Sequence, residues 1–431
     1  MIEKYYSGVI EQIYNRIGKE TRNIVMANYS NDFSIENLEV IRRYQSNEDN
    51  VFFAYSEFSY NTLVGAYEPF LDIICNMHRR FIGGSFDDFQ KECGVYYLHR
   101  QVLNSYYETG ECFREETVLL NEVAYEQRRM TMAIADMLKR LSEVRPLMIV
   151  INRFQMASKS SIETIKYLID NPCANIGIVL GVNAIVKGAD STVEVWDRIV
   201  ESLEDRSAIY YIGSAGPLKN NIKTTNDDEL YITMNFEQSI QEASNIMEFL
   251  DYEQARRGCR IIEHKIKFEN AWIDEKSLRR FYLVYARTSV LLGEMSKAIE
   301  LMNEYKALIP ENDSEHYFSL YYFMKGTCYM YQGKLEKAEG CAKKAYDYAL
   351  LADDELLEFK SELLSVMIKM SGWYNIFFCV QDIPVSDEII EKLIKHGYRN
   401  HLAHIYIYAY DNSRDVVKQS FYDESLLKHF T

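Results

Sequence analysis

The sequence predicts an α/β module built on a parallel sheet, about residues 1–235, followed by an all-α solenoid over residues 236–431. Two observations carry this. Residues 145–183 (RPLMIVINRFQMASKSSIETIKYLIDNPCANIGIVLGVN) read as strand, helix and parallel strand in quick succession, which is a βαβ unit. From about Phe236 onward the pattern is helical only. There Gly293, Gly333 and Gly372 recur 40 and 39 residues apart, with Asn412 another 40 on.

Within the βαβ unit, Leu147–Ile151 is an unbroken apolar, β-branched run, the pattern of a strand buried on both faces. Ser158–Ser161 offer capping hydroxyls, and Ile162, Ile165, Leu168 and Ile169 follow at mostly helical spacing. Asn171-Pro172 ends that helix, and Ile176–Val182 is the second buried strand. Upstream, Ile2–Ile17 reads as an opening helix, Asn23–Ala27 as a short strand, Ile35–Tyr44 as a helix opened by Ser34, and Val51–Tyr55 as the next strand. Val95–Tyr107, Glu115–Leu141 and Ser191–Leu203 read as helices flanking the sheet. Ile209–Ile212 and Leu230–Ile232 are later strands, separated by a polar surface excursion over 213–228. An early hairpin turning near Asp251 opens the helical half.

Composition narrows the function classes. With 48% apolar and 26% charged residues the chain reads as folded rather than disordered. A net charge of −16 argues against nucleic acid as the main partner and against anionic membranes, since both need clustered basic surface. No apolar run reaches transmembrane length, and the N-terminus lacks a signal-peptide core, so a cytoplasmic location is expected. The eight cysteines have no CxxC or metal-type spacing and read as reduced, mostly buried thiols.

The stretch around Leu147–Asn183 resembles the Walker B region of the AAA-like signal-transduction ATPases of the STAND type. It keeps the apolar strand, Phe154, Gln155, Ala157, the serines and the next strand. The resemblance implies a P-loop-NTPase-like fold, with two acids after the strand to hold Mg²⁺ and polarise water. Here Asn152 and Arg153 stand at those positions, Met156 replaces a tryptophan and Ser158 an aspartate. The loop at the P-loop position, Asn28-Tyr29-Ser30-Asn31-Asp32-Phe33-Ser34, has neither the glycines nor the lysine of a phosphate cradle. Gly18-Lys19 precedes the strand and is no substitute. The segment Phe58–Asn76, with Tyr67-Glu68-Pro69-Phe70, is also similar to the segment after the second strand in those ATPases. Asn183 falls at the family's polar sensor position; by itself it is a strand-end cap. Asn28, Ser34, Asn152, Arg153 and Asn183 are therefore vestigial nucleotide-site positions, with no catalytic residue, cofactor or metal expected.

The helical half resembles tetratricopeptide repeats. Ala286, Gly293, Ala298 and Pro310, and then Gly326, Tyr329, Gly333, Ala338 and Ala345, match the small-residue and turn positions. In that family the first helix of each pair lines a concave groove. The resemblance places Arg280, Leu283, Arg287, Val290, Leu320, Phe323, Thr327 and Met330 along it, a surface for a peptide with an acidic end and apolar anchors. His401 and His404 read as ordinary helix residues with no carboxylate or cysteine positioned to share a metal. Cys328, Cys341 and Cys379 read as packing residues, the 34 tyrosines as solenoid packing without basic interleaving, and Asp353-Asp354-Glu355 as a solvated helix start.

Together these predict a non-catalytic regulatory or scaffolding protein. A degenerate ATPase-like module carries a repeat array that binds a protein or peptide, with no direct nucleic-acid or membrane contact, and homo- or hetero-oligomerisation is left open. The alternative is an ATP-binding STAND-type signalling or transcription-regulatory ATPase that uses unconventional residues at its nucleotide site.

Overall fold

The computed structural model describes residues 2–29, 38–46, 50–59, 63–183, 186–187, 193–205, 209–212, 223–224, 235–268, 273–312, 314–374 and 386–412. The expectations for Ser34, Leu230–Ile232 and Cys379 lie outside the described residues. The chain divides into two compact units: Met1–Arg114 with Asn121–Trp272, and Glu115–Leu120 with Ile273–Thr431.

The first unit begins with α1 (Ile2–Arg16), β1 (Ile24–Tyr29), α2 (Glu39–Ser46) and β2 (Phe52–Glu57). Four helices come next, α3 (Phe70–Met77), α4 (Phe86–Glu92), α5 (Tyr97–Thr109) and α6 (Val123–Val144). The βαβ unit is β3 (Leu147–Asn152), α7 (Lys159–Asp170) and β4 (Ile176–Asn183). After it come β5 (Val186–Lys187), α8 (Val193–Glu204), β6 (Ile209–Ile212) and β7 (Lys223–Thr224), and then the hairpin α9 (Phe236–Glu248) and α10 (Tyr252–Phe268).

Five strands form one parallel sheet in the order β2-β3-β4-β1-β6, and β5 pairs with β7 in a small parallel ladder. β3 and β4 are buried along their whole length, as their unbroken apolar runs require of strands covered on both faces. Ser158 caps α7 through its side chain, which accepts from the Ser161 N–H.

The unit boundary falls after α10 rather than at the 235/236 change of pattern, and specific polar contacts hold the α9–α10 hairpin to the sheet unit. Asn245 accepts from the Cys112 N–H at 2.9 Å, and Gln254 donates to the Val64 carbonyl at 3.0 Å. Buried Asp251 accepts from the Ser160 N–H at 3.0 Å. The hairpin does turn at Leu250–Asp251, with Leu250 left-handed at φ 70°.

One helix expectation is corrected. The stretch read as Glu115–Leu141 becomes α-helical only at Val123, after a 3-10 turn over Leu120–Glu122, and Glu115–Leu120 belongs to the second unit. There the carboxylate of Glu116 accepts from the His401 backbone N–H at 2.8 Å and meets the His401 ring Nδ1 at 2.7 Å. Tyr398 donates its hydroxyl to the Glu115 carbonyl at 2.6 Å. A buried carboxylate at a helix start satisfies donors that the helix itself cannot.

The remaining described residues of the second unit form a helical array: α11 (Glu275–Leu291), α12 (Met295–Ala307), α13 (Glu315–Tyr331), α14 (Leu335–Leu351), α15 (Glu355–Tyr374), α16 (Asp387–Lys395) and α17 (Arg399–Asn412). Its turns share one hydrogen-bond pattern. Gly293 is left-handed, its N–H reaching Val290 and that of Glu294 reaching Ser289. Gly333 and Lys334 repeat this onto Met330 and Tyr329, Asp353 and Asp354 onto Leu350 and Ala349, and Gly397 and Tyr398 onto Ile394 and Leu393. Ala286, Ala298, Ala338, Ala342, Ala345 and Ala349 are fully buried where helices approach.

The 40-residue period thus holds at Gly293 and Gly333 and then stops. Gly372 lies inside α15, and Asn412 is the last residue of α17. The intervening turn is made by Asp353, an aspartate that tolerates the left-handed conformation (φ 54°), while Asp354 caps α15 through the Leu357 N–H. Among the described residues no helix is long and apolar enough to cross a membrane.

Candidate functional site

Ligands of open parallel α/β sheets sit outside the carboxyl ends of the strands. In this sheet Tyr29, Glu57, Asn152 and Asn183 are the last residues of β1, β2, β3 and β4, with Tyr29 opposite Asn183 and Glu57 opposite Asn152. The Tyr29 hydroxyl, fully buried, donates to Asn152 Oδ1 at 2.6 Å. Arg153 is left-handed at φ 55° and forms an ion pair with Glu57 at 3.0 Å, both side chains less than a fifth exposed. Its guanidinium also reaches the Phe58 carbonyl at 3.4 Å. The side chain of Gln155 turns back to accept from the Asn183 N–H at 3.2 Å.

Tyr6 of α1 packs over Gly181 of β4, the strand between β1 and β3. A Cβ on Gly181 would stand 2.2 Å from the Tyr6 hydroxyl oxygen and 2.8 Å from Asn152 Oδ1, so only glycine fits this strand position. Burial raises the Tyr6 phenol well above its ordinary value, with Tyr29 and then Tyr55 and Glu57 adding to it. Asn28 is buried close by in β1.

Beside the end of β2 lies a cavity of about 360 Å³, within the size range of small-ligand sites. Leu63, Val64, Leu71 and Phe249 give it apolar wall, and four carboxylates face it: Glu57, Glu68, Asp72 of α3 and Glu242 of α9. Its described lining contains no lysine, arginine or histidine. The Gly65 N–H donates to Glu68 Oε2 at 3.0 Å, and the Tyr106 hydroxyl donates to Asp72 Oδ1 at 3.1 Å. A Cβ on Gly65 would come within 2.9 Å of Glu242 Oε1, so the bare backbone leaves room for both carboxylates.

Burial, reinforced by Glu68 and Asp72, pushes the Glu242 carboxyl up to about 7. Burial likewise raises Glu68, partly offset by the Gly65 N–H. Two like charges held close in a poorly solvated site cannot both ionise freely. Among the described residues no group of three or more His, Cys, Asp or Glu side chains is placed to hold a metal ion.

The sheet thus brings together Asn28, Asn152, Arg153 and Asn183, four of the five expected nucleotide-site positions. Sequence reasoning missed the carboxylates. Glu68 lay within the Tyr67–Phe70 stretch already singled out, but Asp72 and Glu242 carried no local signal, because α3 and α9 meet only in the fold.

In the array, the expected groove positions divide. Arg280 is exposed and Leu283, Arg287, Leu320 and Thr327 are half-buried, whereas Val290 and Met330 are buried at 6% and 9% exposure. Phe323 packs against a core cluster that includes Leu364 and Ile368 of α15. These three belong to packing more than to an open surface. His401 also departs from expectation, since a carboxylate, that of Glu116, is positioned with it, as a helix cap.

No protein family matches the chain in sequence, and no curated protein is similar enough to it to count as a relative.

Proposed function

We propose that this chain is a non-catalytic regulatory or scaffolding protein, in which a degenerate P-loop-NTPase-like module carries a tetratricopeptide-like array that binds a partner protein or peptide. The carboxylate-lined cavity at the end of β2 is the observation that carries this. Nucleotide phosphates are held by converging backbone N–H groups, a lysine and a Mg²⁺ bound to acids. The described lining of this cavity sets four carboxylates and no cationic side chain before a phosphate, with Ser59, the Gly65 backbone, Tyr106 and Asn245 as its neutral polar groups.

The residues at the two acid positions are also engaged elsewhere, Asn152 by Tyr29 and Arg153 by Glu57. In the ATPases that the sequence resembles, the module is a switch and the repeats are the docking arm. With the nucleotide chemistry withdrawn, the module remains as a platform and the array as the binding element. The paired turns at Gly293 and Gly333, with buried alanines between the helices, support the array half of this reading.

Isothermal titration of the full chain with Mg-ATP is the test. The expected result is no saturable heat, and a micromolar dissociation constant would overturn the proposal.

A further inference from the structure

The chain carries 64 acidic against 48 basic residues, and Lys91, Lys139, Lys159, Lys166 and Lys267 each sit beside a carboxylate. Lys392 in the array meets both Glu362 at 2.7 Å and Glu388 at 3.1 Å. On one face lysines are grouped on tyrosine rings instead. Along α13, Tyr321, Lys325 and Tyr329 form an i, i+4, i+8 stripe. Lys325 donates to the Tyr321 hydroxyl at 3.0 Å, and its ammonium stands 5.0 Å from the Tyr321 ring and 5.9 Å from that of Tyr329.

Lys306 of α12 lies over the Tyr321 ring at 5.5 Å, while Lys334 and Lys337 each lie 6.0 Å from the Tyr329 ring. None of these four lysines has a carboxylate within ion-pair distance among the described residues. Lys306, Lys334 and Lys337 are exposed, and Tyr329 is half-buried. Burial works against the charge of Lys325, yet its hydrogen bond to the Tyr321 hydroxyl and charge interactions with Tyr321, Tyr329 and Cys341 outweigh it and hold that lysine above its ordinary value.

We infer that the Lys306–Lys325–Lys334–Lys337 face, set on the Tyr321 and Tyr329 rings, is a docking surface for an acidic peptide segment of a partner protein. It names the partner chemistry of the array proposed above and rests on that reading. Charge complementarity selects the occupant. Four cations with no described counter-ion in an otherwise acidic chain favour a segment that brings its own carboxylates. Resting an ammonium on a ring face limits its freedom before binding, and the exposed part of Tyr329 gives apolar portions of the segment something to cover. This interleaving of lysine and tyrosine is absent from the local sequence, because three of the lysines lie outside α13, on α12, in the turn before α14 and on α14.

The test is fluorescence anisotropy of the full-length protein with a labelled twelve-residue Glu/Asp-rich peptide. Parallel titrations use a lysine-rich peptide of equal length and a single-stranded oligothymidine. The acidic peptide is expected to bind, and to weaken roughly tenfold or more as salt rises several-fold, as exposed ion pairs are screened. Lys334→Glu with Lys337→Glu should abolish measurable binding at an unchanged melting temperature. The same charge change at exposed Lys4 and Lys19 should leave binding within about twofold. Lys334→Gln with Lys337→Gln, which removes the charge without reversing it, should fall between.

An acidic peptide that does not bind, or binds equally to the Lys334/Lys337 and Lys4/Lys19 variants, overturns the inference. So does an oligonucleotide that binds more tightly through the same lysines. Mg-ATP binding would sink the partner-binding reading without touching this titration, and a null titration would sink this face without touching the calorimetry.

Discussion

At the carboxyl edge of the sheet, three strand-end groups are engaged within the unit, Arg153 by Glu57, Asn152 by Tyr29, and the Asn183 N–H by Gln155, while the Tyr6 hydroxyl and Asn28 Oδ1 are buried without a hydrogen-bond partner among the described residues. On the α13 face of the array, four lysines lean on tyrosine rings with no described carboxylate beside them. The first arrangement ties strand ends together and leaves little to offer a ligand. The second leaves charge undischarged at the surface, where it costs little in stability and is open to a partner. A region's part in the fold and its capacity to bind can therefore be separated by asking where its polar groups are already engaged.

The sharpest way to break that contrast is Gly181→Ala. Its Cβ would collide with the Tyr6 hydroxyl and Asn152, so a loss of ~3 kcal/mol or more in urea unfolding is expected. Tyr6→Phe alone should be worth less than ~1 kcal/mol, because that hydroxyl has no hydrogen-bond partner among the described residues, and it should recover part of the alanine penalty in the double variant. A fully tolerated alanine would mean that the strand ends are loosely packed.

Next in size is Glu242→Gln. The folded carboxyl titrates near 7 against an ordinary 4.5, so between those values the folded state holds a proton that the unfolded chain has released. Wild-type stability should therefore fall as pH rises through that window. The variant should be level with wild type at about pH 4 and more stable by up to ~3 kcal/mol at about pH 8. Equal stabilities at about pH 8 would remove the carboxylate crowding on which the cavity's character depends.

A smaller effect is expected in the array. Glu116→Ala should cost ~2 kcal/mol, since the His401 N–H and ring lose a buried partner. A cost confined to a few tenths would show that solvent replaces the carboxylate. Smallest of all, Lys334→Gln with Lys337→Gln should change unfolding free energy by no more than ~0.5 kcal/mol, as expected of exposed charges that hold nothing together. A larger loss would place those lysines in the fold and not on a binding face.

Much of this was legible wherever local pattern and tertiary role coincide. The apolar run at Leu147–Ile151, the serines before α7 and the Asn171-Pro172 stop gave the βαβ unit because each acts through its nearest neighbours. Gly293 and Gly333 announced their turns because a left-handed residue is needed there. Gly372 misled because glycine is tolerated inside the long helix α15, while the real turn used Asp353. At the candidate site Asn152 and Arg153 could be placed from sequence, since β3 positions them. The carboxylates of the cavity could not. Glu57, Asp72 and Glu242 sit on a strand and two helices far apart in the chain, and no periodicity records that they face one space.

The six residues Glu115–Leu120 have a consequence for how the protein is made. They leave the ribosome long before His401, 285 positions downstream of Glu116, and their place is among helices not yet synthesised. The second unit is thus begun early and finished late, with its opening segment waiting while the remainder of the sheet unit is translated. A fragment starting at Ile273 would contain every helix of the array and still lack the carboxylate that closes the start of α17. Supplied as a separate peptide, residues 115–120 should protect that helix from amide exchange.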